Sequence, residues 1–271
     1  MAKGDFDRRE FLKSGAIAVG ALAIIGTGAS YLDKAPLGTQ LTQDFLRPPG
    51  AIKDEVSFMY GCIKCGLCVQ ICPVDAIKLA GAHEGLSYGT PYIDVRNQAC
   101  DFSCDALQCV ETCPTAVLEF EQFRDAGTAA VEKASKEPGV DLSKVNPFEV
   151  QKVAMKEAVK MGMAHVNKST CLAHNIEGFK GISRGLDFDG ILRSPDSKYA
   201  YATPLKDIEF DREICNLCVT ECPIGETAIE FSRSRSGKMG PRVLQGCTGC
   251  GVCVMVCPTS KPSIIVEPIK S

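Results

Sequence analysis

Residues 62–73 read "CIKCGLCVQICP", with cysteines at positions 62, 65, 68 and 72 and a proline directly after the last. Three related runs follow: "CDFSCDALQCVETCP" at 100–114, "CNLCVTECP" at 215–223 and "CTGCGVCVMVCP" at 247–258. Each run ends in Cys-Pro, where the proline fixes the backbone angle as the chain leaves the cysteines. Ordinary turns could explain one such run, but they do not explain a pattern that recurs along the whole chain.

The chain has 16 cysteines among 271 residues, and their spacing decides between three kinds of cysteine chemistry. Disulfides are disfavoured because a dense row offers few pairs with unstrained geometry. Structural zinc usually takes two ligands from one C-x2-C knuckle and two from a second hairpin. The spacing C-x2-C-x2-C-x3-C-P is instead that of bacterial 4Fe-4S proteins, in which three thiolates hold one cluster and the fourth holds its neighbour. We therefore predict four 4Fe-4S clusters.

The third run has only three cysteines, and Arg212 stands where the first run has Cys62. Four clusters with four thiolates each need as many ligands as the chain has cysteines, so we predict that Cys171 is the missing one. A free buried thiol beside a three-iron cluster, or an oxygen ligand such as Asp211, are the alternatives. The predicted iron ligands are Cys62, Cys65, Cys68, Cys72, Cys100, Cys104, Cys109, Cys113, Cys171, Cys215, Cys218, Cys222, Cys247, Cys250, Cys253 and Cys257. We assign no metal role to His83, His165 or His174.

The first residues, "MAKGDFDRREFLKSGAIAVGALAIIGTGAS", predict export from the cytoplasm. Arg8 and Arg9 precede an apolar stretch, as in twin-arginine signals, and that route carries proteins folded with their clusters. Between Lys13 and Asp33 lie 19 uncharged residues, a length that can just span a bilayer. We expect a periplasmic protein whose residues 1–32 are either a cleaved signal or an uncleaved membrane anchor.

Short apolar runs flank the cysteine motifs, which predicts a repeated order of strand, cluster loop, short helix and strand. We predict an α+β fold with a linker or wrapping arm at 33–58, a ferredoxin-like module at 59–124, a helical insertion at 125–165 and a second module at 166–271 that contains an insertion at 172–212. The spacing between motifs pairs the first with the second and the third with the fourth. Pairing the first with the fourth and the second with the third is the rival arrangement.

The segment 146–165, "NPFEVQKVAMKEAVKMGMAH", predicts an amphipathic helix. Its apolar face would carry Val150, Val153, Ala154, Ala158 and Met161. Its other face would carry Lys152, Lys156 and Lys160. The lysine row is either a solvated face or a contact surface for an acidic partner or anionic lipid.

Several of these features together resemble a known family. The twin-arginine start, "RPPGAI", "GLSYGTPYIDVR", the wide second motif, "KSTCLAHN" ahead of the third motif and the fourth motif are similar to the NapG/MauM family of ferredoxin-type proteins. The resemblance covers residues 1 to 122 and 165 to 268, and it places an isolated family cysteine at Cys171. The regions 125–160 and 172–212 are longer than the family pattern, which leaves the electron acceptor open.

The resemblance implies an electron-transfer component of a quinol dehydrogenase, which with a membrane partner of the NapH type supplies a periplasmic reductase such as nitrate reductase. Nitrous oxide, methylamine or molybdenum enzymes are alternative acceptors, and a redox-sensing or maturation factor is a different class of function. The sequence contains no nucleotide-binding glycine loop and no evident nucleophile and base pair, so we expect no substrate site of its own and no nucleic-acid partner. The net charge is -3 before any cluster is bound, and four oxidised clusters would add roughly -8, which favours basic docking patches on partners.

Overall fold

The computed structural model describes residues 45–104, 107–136, 146–193, 203–233 and 237–269. The predicted twin-arginine signal or anchor at 1–32 lies outside these residues. Within the described ranges, none of the helices has both the length and the apolar character needed to cross a bilayer.

Most elements are short, because tight cysteine loops leave little chain for regular structure. The helices are α1 (Glu55–Gly61), α2 (Leu67–Gln70), α3 (Gln108–Glu111), α4 (Glu121–Lys136), α5 (Pro147–Ala158), α6 (Leu217–Thr220) and α7 (Val252–Met255). The strands are β1 (Ile77–Leu79), β2 (Pro91–Ile93), β3 (Gly162–Val166), β4 (Phe179–Gly181), β5 (Ile191–Leu192), β6 (Thr203–Pro204), β7 (Phe210–Arg212), β8 (Ile229–Arg233), β9 (Met239–Val243) and β10 (Ile264–Pro268). In the described ranges, 3-10 turns lie at Ala82–Ser87, Ala173–Asn175, Leu205–Asp207 and Gly225–Thr227.

The strand pairing follows one plan twice. In the N-terminal half, residues 45–120, the hairpin β1–β2 lies between the first two motifs. An antiparallel bridge between Ala51 and Leu118 joins the chain before the first motif to the chain after the second. In the C-terminal half, residues 159–269, the hairpin β8–β9 lies between the last two motifs, and β3 pairs antiparallel with β10 around both. The chain is therefore a mixed helix and strand protein in which each half holds two consecutive motifs.

The cysteine loops need residues that tolerate a left-handed backbone. Gly66 and Gly251 occupy the same position in the first and fourth motifs, with φ of 76° and 87°. No atom lies within 4 Å of a Cβ added at Gly66, whereas at Gly251 a Cβ would come 2.2 Å from Cγ1 of Val95. Val95 belongs to the N-terminal half, so the second glycine also lets the two halves approach closely.

A single core runs through both halves. Its fully buried members include Phe58 and Phe102 from the N-terminal half and Leu217 and Met255 from the C-terminal half. A smaller cluster around Ile229 and Ile264 lies under the β8–β9 and β3–β10 pairs. Because the larger core is shared, the two halves form one packed body.

The described part of the 33–58 segment is a packed arm. Phe45 and Leu46 are buried, and the Leu46 carbonyl accepts a hydrogen bond from Ile93 N at 2.8 Å. The buried Arg47 pairs with Glu55 and donates from Nη1 to the Pro91 carbonyl at 2.7 Å. The arm therefore wraps onto β2 instead of running as a free linker.

The insertion between the halves is a hairpin of two helices, α4 and α5, and the predicted apolar face of α5 is correct only in part: Val150, Ala154 and Ala158 are half-buried. Met155 is fully buried, whereas Val153 is 54% exposed. The helix ends at Ala158, so Met161 is buried outside it, where its N–H donates to the Thr248 carbonyl at 2.8 Å. The lysine row does not form one solvated face, because the Lys152 side chain is only 16% exposed and Lys160 Nζ donates to the Cys247 carbonyl at 3.1 Å.

Candidate iron-sulfur sites

The cysteines gather into four groups of four, each of which takes thiols from more than one part of the chain. We number these groups by their order through the molecule. Site 1 comprises Cys62, Cys65, Cys68 and Cys113; site 2 comprises Cys72, Cys100, Cys104 and Cys109; site 3 comprises Cys222, Cys247, Cys250 and Cys253; site 4 comprises Cys171, Cys215, Cys218 and Cys257.

Site 1 surrounds a cavity of about 380 Å³ between the first motif and the end of the second. The helices α2 and α3 carry Cys68 and Cys109, and each starts from a residue with a left-handed backbone, Gly66 and Leu107. Burial raises the pKa of Cys68 to about 11, and the nearby thiols of Cys62, Cys65 and Cys113 act in the same direction. Three thiols of one motif thus face the last thiol of the other.

Site 2 takes three thiols from the second motif and one from the first, just as site 1 takes three from the first motif and one from the second. Burial raises the pKa of Cys104 and Cys109, and Cys72 from the first motif is among the charges that raise both. Burial likewise raises the pKa of Cys100 well above its usual value, with contributions from Cys109 and Cys104. The last cysteine of the first motif therefore lies with the second motif.

Site 3 surrounds a cavity of about 350 Å³ and repeats this exchange in the C-terminal half. Burial raises the pKa of Cys250 and Cys253, and Cys222 from the third motif contributes to both shifts. The fourth motif supplies Cys247, Cys250 and Cys253. The structure thus favours the pairing of motifs one with two and three with four over the rival pairing.

Site 4 is the group that contains Cys171, which is buried beside a cavity of about 370 Å³ lined also by Cys215, Cys218 and Cys257. Burial raises the pKa of Cys218 well above its usual value, and Cys215, Cys171 and Cys257 add to the shift. Asp211, the alternative oxygen ligand, is exposed and pairs with Lys180 at 2.7 Å. The structure brings Cys171 to the position of a fourth thiol, and its role as a ligand stays a prediction.

The four sites follow one another through the molecule. Cys68 of site 1 is among the charges that act on Cys109 of site 2. At the next junction Cys100 N donates to the Cys250 carbonyl at 3.2 Å, which joins site 2 to site 3 across the two halves. Cys218 lines the cavities of both site 3 and site 4. The resulting order is site 1, site 2, site 3, site 4.

Sequence reasoning missed the arginine that holds this central junction together. Arg96 in the N-terminal half donates from Nη1 to the Val254 and Cys257 carbonyls at 2.6 and 2.9 Å, and from Nη2 to the Thr259 carbonyl at 2.7 Å. The Val254 carbonyl belongs to α7 and the other two follow that helix, where a cation also complements the helix dipole. No motif marks Arg96, because its partners lie about one hundred and sixty residues further along the chain.

The donor sets fit 4Fe-4S clusters. Four thiols surround each site, as one thiolate for each iron requires, and apolar side chains line the three cavities described above. Because burial holds many of these thiols in the protonated form, binding of iron would have to release their protons. Within the described parts of the chain, no three His, Cys, Asp or Glu side chains converge on a position for a single metal ion.

Comparison with protein families agrees with this chemistry. A family model described as a 4Fe-4S dicluster domain matches residues 61–137, and one described as a 4Fe-4S binding domain matches residues 244–260. No solved structure gives a significant match. The predicted 4Fe-4S character is thereby confirmed, whereas the number of clusters stays a prediction.

Curated relatives match nearly the whole chain. The ferredoxin-type protein NapG of Escherichia coli (strain K12) is 28% identical over 278 residues, which cover 99% of this chain and 88% of NapG. The methylamine utilization ferredoxin-type protein MauM of Methylorubrum extorquens is 27% identical over 266 residues, covering 96% of this chain and 89% of MauM. MauM of Paracoccus denitrificans is 26% identical over 270 residues, with 96% and 87% covered.

Proposed function

Since the chain belongs to the NapG/MauM family of ferredoxin-type iron-sulfur proteins, we propose that it is a four-cluster electron-transfer protein of the periplasm. It takes electrons from a membrane partner of the NapH type that oxidises quinol, and it delivers them to a periplasmic reductase such as nitrate reductase. The single observation that carries the proposal is the gathering of the cysteines into four groups of four.

A 4Fe-4S cluster supplies a one-electron carrier when it is bound. The chain's own residues hold the four sites in a row, bury part of their thiols and donate hydrogen bonds to two of their sulfurs. Ala76 N lies 3.4 Å from Cys72 Sγ, and Ser263 N lies 3.4 Å from Cys257 Sγ. Such donors, with burial and local charge, adjust redox potentials.

Export and anchoring are part of the proposal. The twin-arginine pattern at Arg8 and Arg9 supports transport of the folded protein, and the 19 uncharged residues that follow Lys13 support either removal of a signal or retention as an anchor. Western blotting of periplasmic and membrane fractions, with an Arg8→Lys plus Arg9→Lys variant, tests this. Export of that variant at the normal level would contradict the assignment.

The main experiment is anaerobic iron and acid-sulfide analysis with EPR of the reduced protein, on the wild type and on Cys171→Ala. We expect about sixteen iron per chain in the wild type, and in the variant either loss of one cluster signal or its conversion to a three-iron type. Ser169→Ala is the control, because its exposed hydroxyl bonds only to the nearby Asn167 side chain. If Cys171→Ala leaves the iron content per chain unchanged, Cys171 is a core thiol and not an iron ligand. Zinc in place of iron would contradict the function as a whole.

The alternative functions differ in their partners. Reduction of the clusters by a quinol analogue that requires the membrane partner supports the proposed role. Stoichiometric co-purification with a large catalytic subunit would instead indicate a fixed subunit of another periplasmic oxidoreductase, such as a nitrous oxide, methylamine or molybdenum enzyme. Clusters that bind but never turn over would indicate a sensing or maturation factor.

A further inference from the structure

The C-terminal half carries an open groove of about 1510 Å³ that no cysteine lines. Its walls come from β3, from β9, from the end of β8 and from the 3-10 turn Ala173–Asn175. Its basic lining residues are His165, Lys168, His174, Arg233 and Arg242. Three of them, Lys168, Arg233 and Arg242, are cations at neutral pH, and no Asp or Glu is among the described residues that line the groove.

Part of this charge has no acidic partner. Arg242 lies 3.3 Å from Glu230, which offsets its charge, and His165 lies 3.7 Å from Glu267. Lys168 and Arg233 are exposed and form no ion pair with any residue that the structure describes. An exposed pair of uncompensated cations attracts negative charge and speeds encounter with an acidic partner.

A second observation comes from His174. The residue is 6% exposed, and its Nε2 atom has no hydrogen-bond partner among the residues that the structure describes. Its ring packs over Gly240, where a Cβ would approach Cε1 within 2.5 Å. Burial, and then the charges of Lys168 and Lys238, lower its pKa, so the imidazole is neutral at neutral pH and can donate or accept one hydrogen bond. A buried nitrogen without a partner is costly unless a ligand or water supplies one.

The groove lies against the iron-sulfur sites. Ala164 and Val243 line both the groove and the cavity of site 3. Val166 and Pro241 line both the groove and the cavity of site 4. One layer of sheet therefore separates a molecule in the groove from the last two sites of the row.

We propose that this groove is the docking site for an acidic polypeptide segment of a redox partner. The proposal rests on the proposed electron-transfer function, which it deepens by naming the partner's chemistry and the end of the row that it approaches. Among the described residues that line the groove there is no Phe, Tyr or Trp, so the stacking platform that single-stranded nucleic acid uses is missing there. Acidic side chains of a polypeptide complement the charges of Lys168 and Arg233, and the open groove leaves both cations accessible to them.

The test measures binding of a fluorescein-labelled deca-glutamate peptide to the anaerobic holoprotein by fluorescence anisotropy at low ionic strength. Lys168→Glu with Arg233→Glu should weaken binding by about tenfold or more. The matched control is Lys53→Glu with Lys78→Glu, which changes the net charge equally at exposed positions of the N-terminal half. The control pair should leave the affinity within about twofold of wild type. The milder pair Lys168→Gln with Arg233→Gln serves if charge reversal impairs folding.

Equal losses in both pairs, or no loss in the groove pair, would overturn the proposal. So would displacement of the peptide by equimolar inorganic phosphate, which would indicate a small-anion site, or tighter binding of an oligonucleotide of equal charge. Iron content, measured in the same samples, separates this proposal from the proposed function. If the peptide fails to bind protein that carries its full iron content, only the groove proposal is overturned. If the peptide binds protein that carries little iron, only the four-cluster function is overturned.

Discussion

At the scale of single residues, the second and fourth motifs offer a matched pair of hydroxyls. Each continues as Cys-Pro-Thr, and Thr259 Oγ1 lies 3.1 Å from Cys257 Sγ, while Thr115 Oγ1 lies 3.8 Å from Cys113 Sγ. A metal-bound thiolate cannot donate, so the hydroxyl must, and such a donor favours the reduced cluster. We expect Thr259→Val to make the potential of site 4 more negative in an EPR-monitored redox titration. Thr115→Val should change site 1 less, and equal shifts would show that the hydroxyl distance does not matter.

The sequence predicts the cysteine loops and Cys171, but it does not predict the residues of the basic groove. Cysteine spacing predicts the loops, and counting predicts Cys171, because iron chemistry demands a fixed number of thiolates. Lys168 and Arg233 could not be identified in this way, since they line one groove only because the β3–β10 pair lies beside the β8–β9 pair. His174 was set aside as a lone histidine, and only its burial without a partner distinguishes it.

At the scale of elements, the α4–α5 hairpin gives a stability test. Met155 is fully buried against Gly127 of α4 and its neighbours, whereas Val153 is half exposed. Truncating a buried methionine removes contacts and leaves a cavity, which costs about 2–5 kcal/mol. We expect Met155→Ala to lower the denaturant midpoint of cluster bleaching clearly, and Val153→Ala to change it little. A larger loss of stability in Val153→Ala than in Met155→Ala would show that the face predicted from periodicity is the buried one.

Periodicity misplaced that face because it identifies amphipathic character without identifying what covers the helix. Here α4 covers Met155, Lys152 pairs with Glu149, and Lys160 donates to the Gln245 and Cys247 carbonyls. The 172–212 insertion shows the same limit. Gln98 Nε2 donates to the Ile191 carbonyl at 2.9 Å, and Asp101 accepts from Arg193 N at 2.9 Å, so part of the extra chain braces the two halves.

At the scale of the whole molecule, the order of the sites depends on how the halves dock. The Cys100–Cys250 hydrogen bond, the Arg96 contacts and the packing of Gly251 on Val95 all lie at one junction. The Cys100–Cys250 bond sets site 2 beside site 3, and sites 1 and 4 are then the two ends of the row. Site 1 is bordered by the exposed apolar residues Ile63 and Leu67, whereas site 4 adjoins the basic groove. The two ends therefore present different chemistry to partners.

Single ligand substitutions test this order. Cys72 belongs to the first motif by sequence but lies with Cys104 and Cys109, so Cys72→Ala should remove the EPR signal of site 2. Adjacent paramagnetic clusters split or broaden each other's EPR signals. Without a cluster in site 2, the signal of site 1 should therefore lose its splitting, whereas the signals of sites 3 and 4 should remain coupled to each other. Cys113→Ala is the matched control, because it removes site 1 at the end of the row and should leave the coupling of sites 2, 3 and 4 intact. If Cys72→Ala instead abolished the signal of a site built on the fourth motif, the rival pairing would hold, and the order of the four sites would be wrong.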